Sequence, residues 1–133
     1  MAPTIFDGLP LPPVGRLLGW KLIAVDPQAG AIDVEFLARA DFTNPSGFVQ
    51  GGLIAAMLDD TLGPAVFAMS GGERMATTID LHLHYVRPVR PGRVTTTAKV
   101  INLGSRIAFV EGRLFDFEDR LAATATVSAI LTD

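Results

Sequence analysis

The chain lacks cysteine and is poor in charge, and these two deficits exclude whole classes of function. None of its 133 residues is cysteine, and only 19% are Asp, Glu, Lys or Arg, where about 25% is typical. Without cysteine there is no disulfide framework, no thiolate nucleophile and no cysteine-ligated zinc or iron–sulfur site. The formal net charge of −3 argues against nucleic acid as a partner, because nucleic acid selects strongly basic faces.

The chain also lacks a recognisable targeting segment. Its first twenty residues show no basic stretch followed by an unbroken apolar run, so we expect no secretory signal and a cytoplasmic protein. One stretch, residues 51–70, approaches the length of a membrane span, but it carries Asp59 and Asp60. Each carboxylate would cost about 2.5–3.5 kcal/mol at a bilayer centre. We therefore predict a core helix here and no membrane span.

Apolar residues are abundant instead. The hydrophobic residues make up 49% of the chain, and monomers rarely expose large contiguous apolar patches. We therefore predict a homo-oligomer, either a dimer or a dimer of dimers. No repeat or linker divides residues 1–133, so a single domain is expected.

The periodicity of the apolar residues predicts an α+β fold. A short helix at 14–18 and a hairpin around the turn at 26–30 come first, and residues 51–70 have the composition of a helix. This helix is apolar nearly all round, so we expect burial on every side, with a kink or break at Gly63-Pro64 because proline lacks the amide proton. Period-2 runs then follow to the end of the chain. Altogether we predict about six antiparallel strands wrapped around one long central helix.

Asp59 is the strongest catalytic candidate, because a carboxylate within a buried helix must be paired, protonated or held there for a use. Burial would raise its pKa and suit it to proton transfer or nucleophilic attack near neutral pH. The alternative is that Asp59 or Asp60 caps a broken helix beside Pro64 or lies at an exposed edge. Of the two, Asp60 is the expected structural member, since it is displaced by about 100° around the helix.

Gly51 and Gly52 come just before that helix, where backbone amides are unpaired and the helix dipole is positive. Such an end can polarise a carbonyl or stabilise an oxyanion, although a plain turn is the commoner role of a Gly-Gly pair. Gly51 and Asp59 lie eight residues apart, about 12 Å along a helix, whereas reacting atoms must meet at about 3–3.5 Å. If both residues act on one carbonyl, two antiparallel copies of the helix must meet in a dimer.

Two further groups are weaker candidates. His82 and His84 share one face of a predicted strand and could begin a metal site, but a polar sheet surface is the preferred interpretation. Arg87, Arg90 and Arg93 recur at intervals of three around prolines. They could hold phosphates or form a solvated turn.

The segment NPSGFVQGGLIAAMLD, residues 44–59, resembles the signature of the hotdog-fold acyl-CoA thioesterases. The branch it resembles is that of the phenylacetate-pathway enzyme, whose pattern is N-x-x-G-x-x-H-G-G followed by six residues and an acid. A second segment, TIDLHLHYVRPVRPG at residues 78–92, is similar to the strand and turn that follow in that family. The one departure is Gln50, which stands where the family usually has histidine.

The resemblance implies a role for each matched residue. Asp59 would be the nucleophile or general base, Gly51 the backbone donor to the thioester carbonyl, and Asn44 the group that orients the acid or water. Thr78 matches a hydroxyl position that assists this water. Gln50 can donate to a carbonyl but cannot take up a proton. Gly52 and the arginines, Arg87, Arg90 and Arg93, would contact the substrate, with the arginines near coenzyme A.

The resulting hypothesis is hydrolysis of an acyl-CoA thioester, with no metal or redox cofactor required and the acyl group undetermined. Five apolar residues could line its pocket or simply be core, namely Phe42, Phe48, Met57, Leu62 and Phe67. A non-catalytic acyl-CoA binding or sensing domain is the alternative, which Gln50 favours and Asp59 opposes. Hydration of an enoyl thioester is a second alternative, but it would ordinarily need an acid–histidine pair.

Overall fold

One helix and one six-stranded sheet make up most of the molecule in the computed structural model, which describes residues 2–133. The elements in chain order are α1 (Pro13–Leu18), β1 (Lys21–Asp26), β2 (Ala31–Ala38), a 3₁₀ turn (Ala40–Phe42), α2 (Gly51–Met69), β3 (Met75–Tyr85), β4 (Gly92–Leu103), β5 (Ile107–Phe115) and β6 (Leu121–Thr132). The strand order is β1-β2-β4-β5-β6-β3, with every pair antiparallel. The predicted α+β class, the six strands and the long helix are therefore confirmed.

The core lies between α2 and one face of the sheet. Along β2, Ile32, Val34 and Phe36 alternate with polar residues and are at most 1% exposed, as period-2 patterning requires. Gly112 lets the sheet pack closely on α2, because an added Cβ there would lie 3.1 Å from the Leu62 side chain. A side chain at position 112 would thus force Leu62 to shift.

The structure corrects the expected break at Gly63-Pro64, because α2 continues through Pro64 to Met69. Pro64 has no amide proton to donate to the carbonyl of Asp60, four residues earlier. That carbonyl instead accepts a hydrogen bond from the Trp20 indole at 3.0 Å. A side chain from outside the helix therefore replaces the missing backbone donor.

The structure also corrects the expectation that this helix is buried on every side. α2 packs against all six strands, but the sheet covers only one side of it. Gly52 and Asp59, seven residues apart on one face, are exposed. By length and composition alone α2 could cross a membrane, yet its inner face forms the core with the sheet.

Candidate active site

Asp59 lies on the open face of α2, in reach of β3. The Thr78 hydroxyl donates a hydrogen bond to Asp59 Oδ1 at 2.7 Å, and β3 has a register shift just beyond Thr78. The structure thus brings together two residues that the family resemblance assigns to one site. It does not place Asp59 in a buried environment, because the side chain is exposed in the single chain.

The desolvated carboxyl group is that of the next residue, Asp60. Burial, with the nearby charge of Asp59 as a second cause, raises the pKa of Asp60 to about 6. Its Oδ2 atom is shut off from solvent and has no hydrogen-bond partner within residues 2–133. The sequence predicted burial of the Asp59 carboxyl. That prediction is wrong for the single chain, where Asp60 is the desolvated carboxyl.

A cavity of about 360 Å³ adjoins both carboxyl groups. We call it the acid cavity, lined by Phe6, Leu9, Pro10, Leu11, Pro12, Gly15, Trp20, Asp59, Asp60, Gly63, Pro64, Phe67, Met75, Ala76 and Thr78. Most of these residues are apolar, so the acid cavity suits an apolar group with a polar atom at the Asp59 end.

The N-terminus of α2 forms a second feature of the site. Gln50 occupies the N-cap position with an exposed side chain that makes no capping hydrogen bond to residues 2–133. The amides of Leu53 and Ile54 both donate to the Gln50 carbonyl. Since the first amides of a helix have no partner within it, Gly51 and Gly52 present theirs outward.

Tyr85 was missed by sequence reasoning and lies against Gly51. Its hydroxyl donates a hydrogen bond to the Gly51 carbonyl at 2.7 Å. A Cβ at position 51 would meet the tyrosine hydroxyl at 3.3 Å, whereas a Cβ at Gly52 would meet no atom of residues 2–133 within 4 Å. Tyr85 is the only tyrosine and ends β3 within the matched segment 78–92, which is the signal that could have found it.

Asn44 organises the loop that leads into α2. Its side-chain oxygen accepts hydrogen bonds from the amides of Ser46 at 3.0 Å and Phe48 at 3.2 Å. A cavity of about 320 Å³ at this end of the helix, which we call the amide cavity, is lined by residues that include Asn44, Gly51, Tyr85 and Arg87. Asn44 therefore accompanies Gly51, and not the Asp59 of its own chain.

The three arginines do not form one cluster. Arg87 donates to the Leu121 carbonyl at 3.1 Å, and Arg90 stacks over the Phe48 ring at 4.9 Å. Both thus contact the surroundings of the amide cavity. Arg93 belongs to β4, where its Nε lies 3.3 Å from a Glu35 carboxylate oxygen, so it is already paired.

The histidines form part of the outer sheet surface. His82 and His84 are exposed, with their Nε2 atoms 3.1 Å apart. No group of three or more possible metal ligands occurs in the part of the chain that the structure describes. Of the five apolar candidates, Phe42, Met57 and Leu62 are core residues, whereas Phe67 lines the acid cavity and Phe48 the amide cavity.

Comparisons with known proteins agree on one family. Residues 46–123 match a family model described as the thioesterase superfamily. Human acyl-coenzyme A thioesterase 13 is 28% identical over 95 residues, which are 71% of this chain and 66% of that protein. The 1,4-dihydroxy-2-naphthoyl-CoA hydrolase of Escherichia coli K12 is 25% identical over 87 residues, 65% and 64% of the two chains. The matched region thus spans just under two thirds of each of these relatives.

A solved structure matches over nearly the whole chain. The phenylacetic acid degradation-related protein of Ralstonia eutropha JMP134 is 34% identical, covers 93% of both chains and superposes with a TM-score of 0.88. The fold that the resemblance predicted is therefore confirmed.

Proposed function

Because this chain belongs to the thioesterase superfamily and has its hotdog fold, we propose that it hydrolyses the thioester bond of an acyl-coenzyme A. Thioester hydrolysis is the reaction class that its relatives support. The acyl-CoA substrate is inferred from two of them, an acyl-coenzyme A thioesterase and an acyl-CoA hydrolase by name.

One observation carries the assignment of Asp59. Its carboxylate is accessible, held by the Thr78 hydroxyl at 2.7 Å and adjacent to an apolar cavity. An acid that served only to stabilise the helix would need neither the opening nor the cavity. The hydrogen bond restricts the side chain to one orientation, as a reacting group requires.

The proposed reaction uses two subunits. The Gly51 amide at the N-terminus of α2 polarises the thioester carbonyl and stabilises the oxyanion that forms. Asp59 of the partner subunit either attacks the carbonyl carbon or takes a proton from the water that attacks it. Direct attack gives an acyl anhydride that water then hydrolyses, so both routes release coenzyme A and a free acid. Asn44 and Gln50 lie on the Gly51 side, where Gln50 can donate to the same carbonyl.

We assign the coenzyme A moiety to the surface around the amide cavity. Arg87 and Arg90 are exposed there and can hold phosphate groups. Arg93 is left out of this assignment because it pairs with Glu35.

The test is a thiol-release assay over a panel of acyl-CoAs, with Asp59→Asn compared with Asp80→Asn. Asp80 is an exposed carboxylate two residues after Thr78, so its variant controls for the loss of one negative charge nearby. We expect Asp59→Asn to keep its fold and its acyl-CoA binding but to lose turnover by about three orders of magnitude or more. Asp80→Asn should remain active.

The same assay distinguishes the thioesterase from the rival function. Gln50 in place of histidine favours a domain that binds acyl-CoA without hydrolysing it. Binding without thiol release from any member of the panel would establish that rival. Full activity in a less stable Asp59→Asn variant would remove the acid from the mechanism.

A further inference from the structure

We propose that Asp60 selects acyl groups that carry a hydroxyl, by accepting a hydrogen bond from that hydroxyl inside the acid cavity. The proposal rests on the function proposed above, because it takes the acid cavity as the site of the acyl group.

The acid cavity continues directly from the proposed reacting acid. Asp59, Gly63 and Phe67 recur at intervals of four along α2, so they form one continuous stripe of the cavity wall. The N-terminal segment adds Phe6 and Trp20, whose rings lie 5.6 Å apart, and the Phe6 ring also lies 5.9 Å from that of Phe67. An acyl chain whose thioester reaches Asp59 would therefore extend along apolar surface.

Four polar side chains line this cavity, and three already have partners. The Trp20 indole donates to the Asp60 carbonyl, and Thr78 and Asp59 bond to each other. The Asp60 carboxyl group remains. Its Oδ2 has neither solvent contact nor a hydrogen-bond partner among the residues described, so Oδ1 is the carboxyl oxygen that a ligand in the cavity can reach.

A buried polar atom without a partner is costly, and native structures contain few of them. Burial has raised the pKa of Asp60 to about 6, so the group is largely ionised at pH 7.5 and can only accept hydrogen bonds. A ligand donor that reaches Oδ1 would offset part of the cost of desolvating this carboxyl group.

A hydroxyl fits the cavity better than an ammonium group. A full positive charge would have to lose its water among apolar walls, and it would also pair with Asp59, the proposed reacting group. A hydroxyl costs much less to desolvate and supplies one directed proton. Since Asp59 and Asp60 are adjacent, with Cα atoms about 3.8 Å apart, the hydroxyl should lie within a few carbons of the thioester.

The experiment compares acyl-CoAs of equal carbon number, with and without a hydroxyl at successive positions. At pH 7.5 we expect kcat/KM to favour one hydroxylated isomer over its parent by about tenfold or more. Asp60→Leu keeps the number and branching of the side-chain heavy atoms, with larger terminal groups and no acceptor, so it should abolish or reverse that preference. Asp60→Asn should keep part of it through the amide oxygen, and Asp80→Asn should leave it unchanged.

The pH dependence of wild-type selectivity provides a second test that does not require a variant to fold. Asp59 is the other titratable group lining the acid cavity, and it has the same proposed role for both members of a pair, so its contribution cancels from their ratio. The ratio of their kcat/KM values should therefore rise between pH 5 and pH 7.5 as Asp60 ionises. A ratio near one at every pH and hydroxyl position, or an unchanged preference in Asp60→Leu, would overturn the proposal.

Binding separates this proposal from the proposed function. Trp20 is the only tryptophan and lines the acid cavity, so its fluorescence reports occupancy in the Asp59→Asn variant. A hydroxyl preference in binding without any hydrolysis by wild-type protein would support Asp60 and refute the thioesterase. Hydrolysis by the wild-type protein with no hydroxyl preference in either assay would support the thioesterase and refute the role of Asp60.

Discussion

Two neighbouring carboxylates in α2 have different environments because successive helical residues point about 100° apart. Asp59 faces the opening and the Thr78 hydroxyl, whereas the Asp60 carboxyl is desolvated by burial and the Asp60 backbone carbonyl accepts the Trp20 indole. The desolvation is therefore borne by Asp60, which leaves Asp59 available to a substrate.

Replacing Asp60 by asparagine should stabilise the protein in a pH-dependent way. The folded-state pKa of Asp60 is raised to about 6 from an ordinary value of 3.8, so the folded protein binds this proton more tightly than the unfolded chain does. The stabilising contribution of the protonated carboxyl is complete below about pH 4 and is lost as the pH rises through 6.

Urea unfolding of wild type and Asp60→Asn at pH 4, 5 and 7.5 measures this difference. The advantage of Asp60→Asn should be largest at pH 7.5 and should shrink toward pH 4. An advantage that does not vary with pH would show that Asp60 is not desolvated.

Proline at position 51 should remove the proposed amide donor while the helix is retained. Gly51 is the first helical residue, where proline is tolerated, and Gln50 has φ −58° and ψ 135°, which suits a residue before proline. We expect Gly51→Pro to lower kcat by roughly 10²–10³-fold, the usual effect of losing one oxyanion donor.

Gly51→Ala is the matched control, because it keeps the amide and places the same Cβ against Tyr85. The two variants are compared by steady-state kinetics and by circular dichroism. Equal loss of activity in both would attribute the effect to crowding against Tyr85 and not to the amide.

At the scale of elements, a hydrogen bond from the segment before β1 stabilises the middle of α2. The Trp20 indole donates to the Asp60 carbonyl, which Pro64 cannot reach with an amide of its own. The Trp20 ring also lies 5.6 Å from that of Phe6. One side chain thus joins the N-terminal segment to the middle of the helix, and it does so at the acid cavity.

A double-mutant cycle tests this contact. Trp20→Phe should cost about 1–2 kcal/mol of unfolding free energy, from the lost hydrogen bond and some lost packing. In a Pro64→Ala background the new amide can donate to the Asp60 carbonyl, so the same substitution should cost about 1 kcal/mol less. Denaturant unfolding of the four proteins measures the coupling, and additive effects would mean that the indole bond does not compensate for the amide that Pro64 lacks.

At the scale of the whole molecule, the two halves of the proposed site lie at opposite ends of one stretch of α2. β3 runs antiparallel beside it, with Thr78 at Asp59 and Tyr85 at Gly51. A two-fold axis that brings Gly51 to Asp59 of the partner subunit must therefore pass near residue 55 and near the middle of β3. β3 is an edge strand, and its Met75 and Ile79 are 54% and 59% exposed, which supports the proposed dimer.

Mixing two inactive variants should restore activity if the site is shared. In a heterodimer of Asp59→Asn and Gly51→Pro, one site keeps both Gly51 and Asp59 and the other has lost both. Random mixing gives half heterodimers, so about a quarter of wild-type activity should return. Thiol release from unfolded and refolded mixtures measures this, with each variant refolded alone as the control.

No recovery after mixing, or a stable monomer by sedimentation that still hydrolyses thioesters, would place the whole site in one chain.

The cytoplasmic location and the choice between a dimer and a dimer of dimers stay predictions from the sequence.

The sequence by itself determined the elements and the family, because these depend on local patterns. Period-2 runs predict strands, an apolar run with good helix formers predicts α2, and residues 44–59 carry the family motif at fixed spacing. The same spacing showed that Gly51 and Asp59 are too far apart to meet within one chain. Chain-local reasoning therefore reached the fold, the two-subunit hypothesis and Asp59.

Only the tertiary structure decided which groups are buried and what they contact, because burial depends on residues distant in sequence. It placed Thr78 against Asp59 and Tyr85 against Gly51, and it separated Arg93 from the other arginines through Glu35. Pro64 lies within α2 because the indole of Trp20, 44 positions earlier in the sequence, donates to the Asp60 carbonyl that Pro64 cannot reach. Because the sheet covers only one side of α2, Asp59 is exposed while the neighbouring Asp60 is desolvated. Two adjacent aspartates in a helical pattern do not reveal which of them is buried.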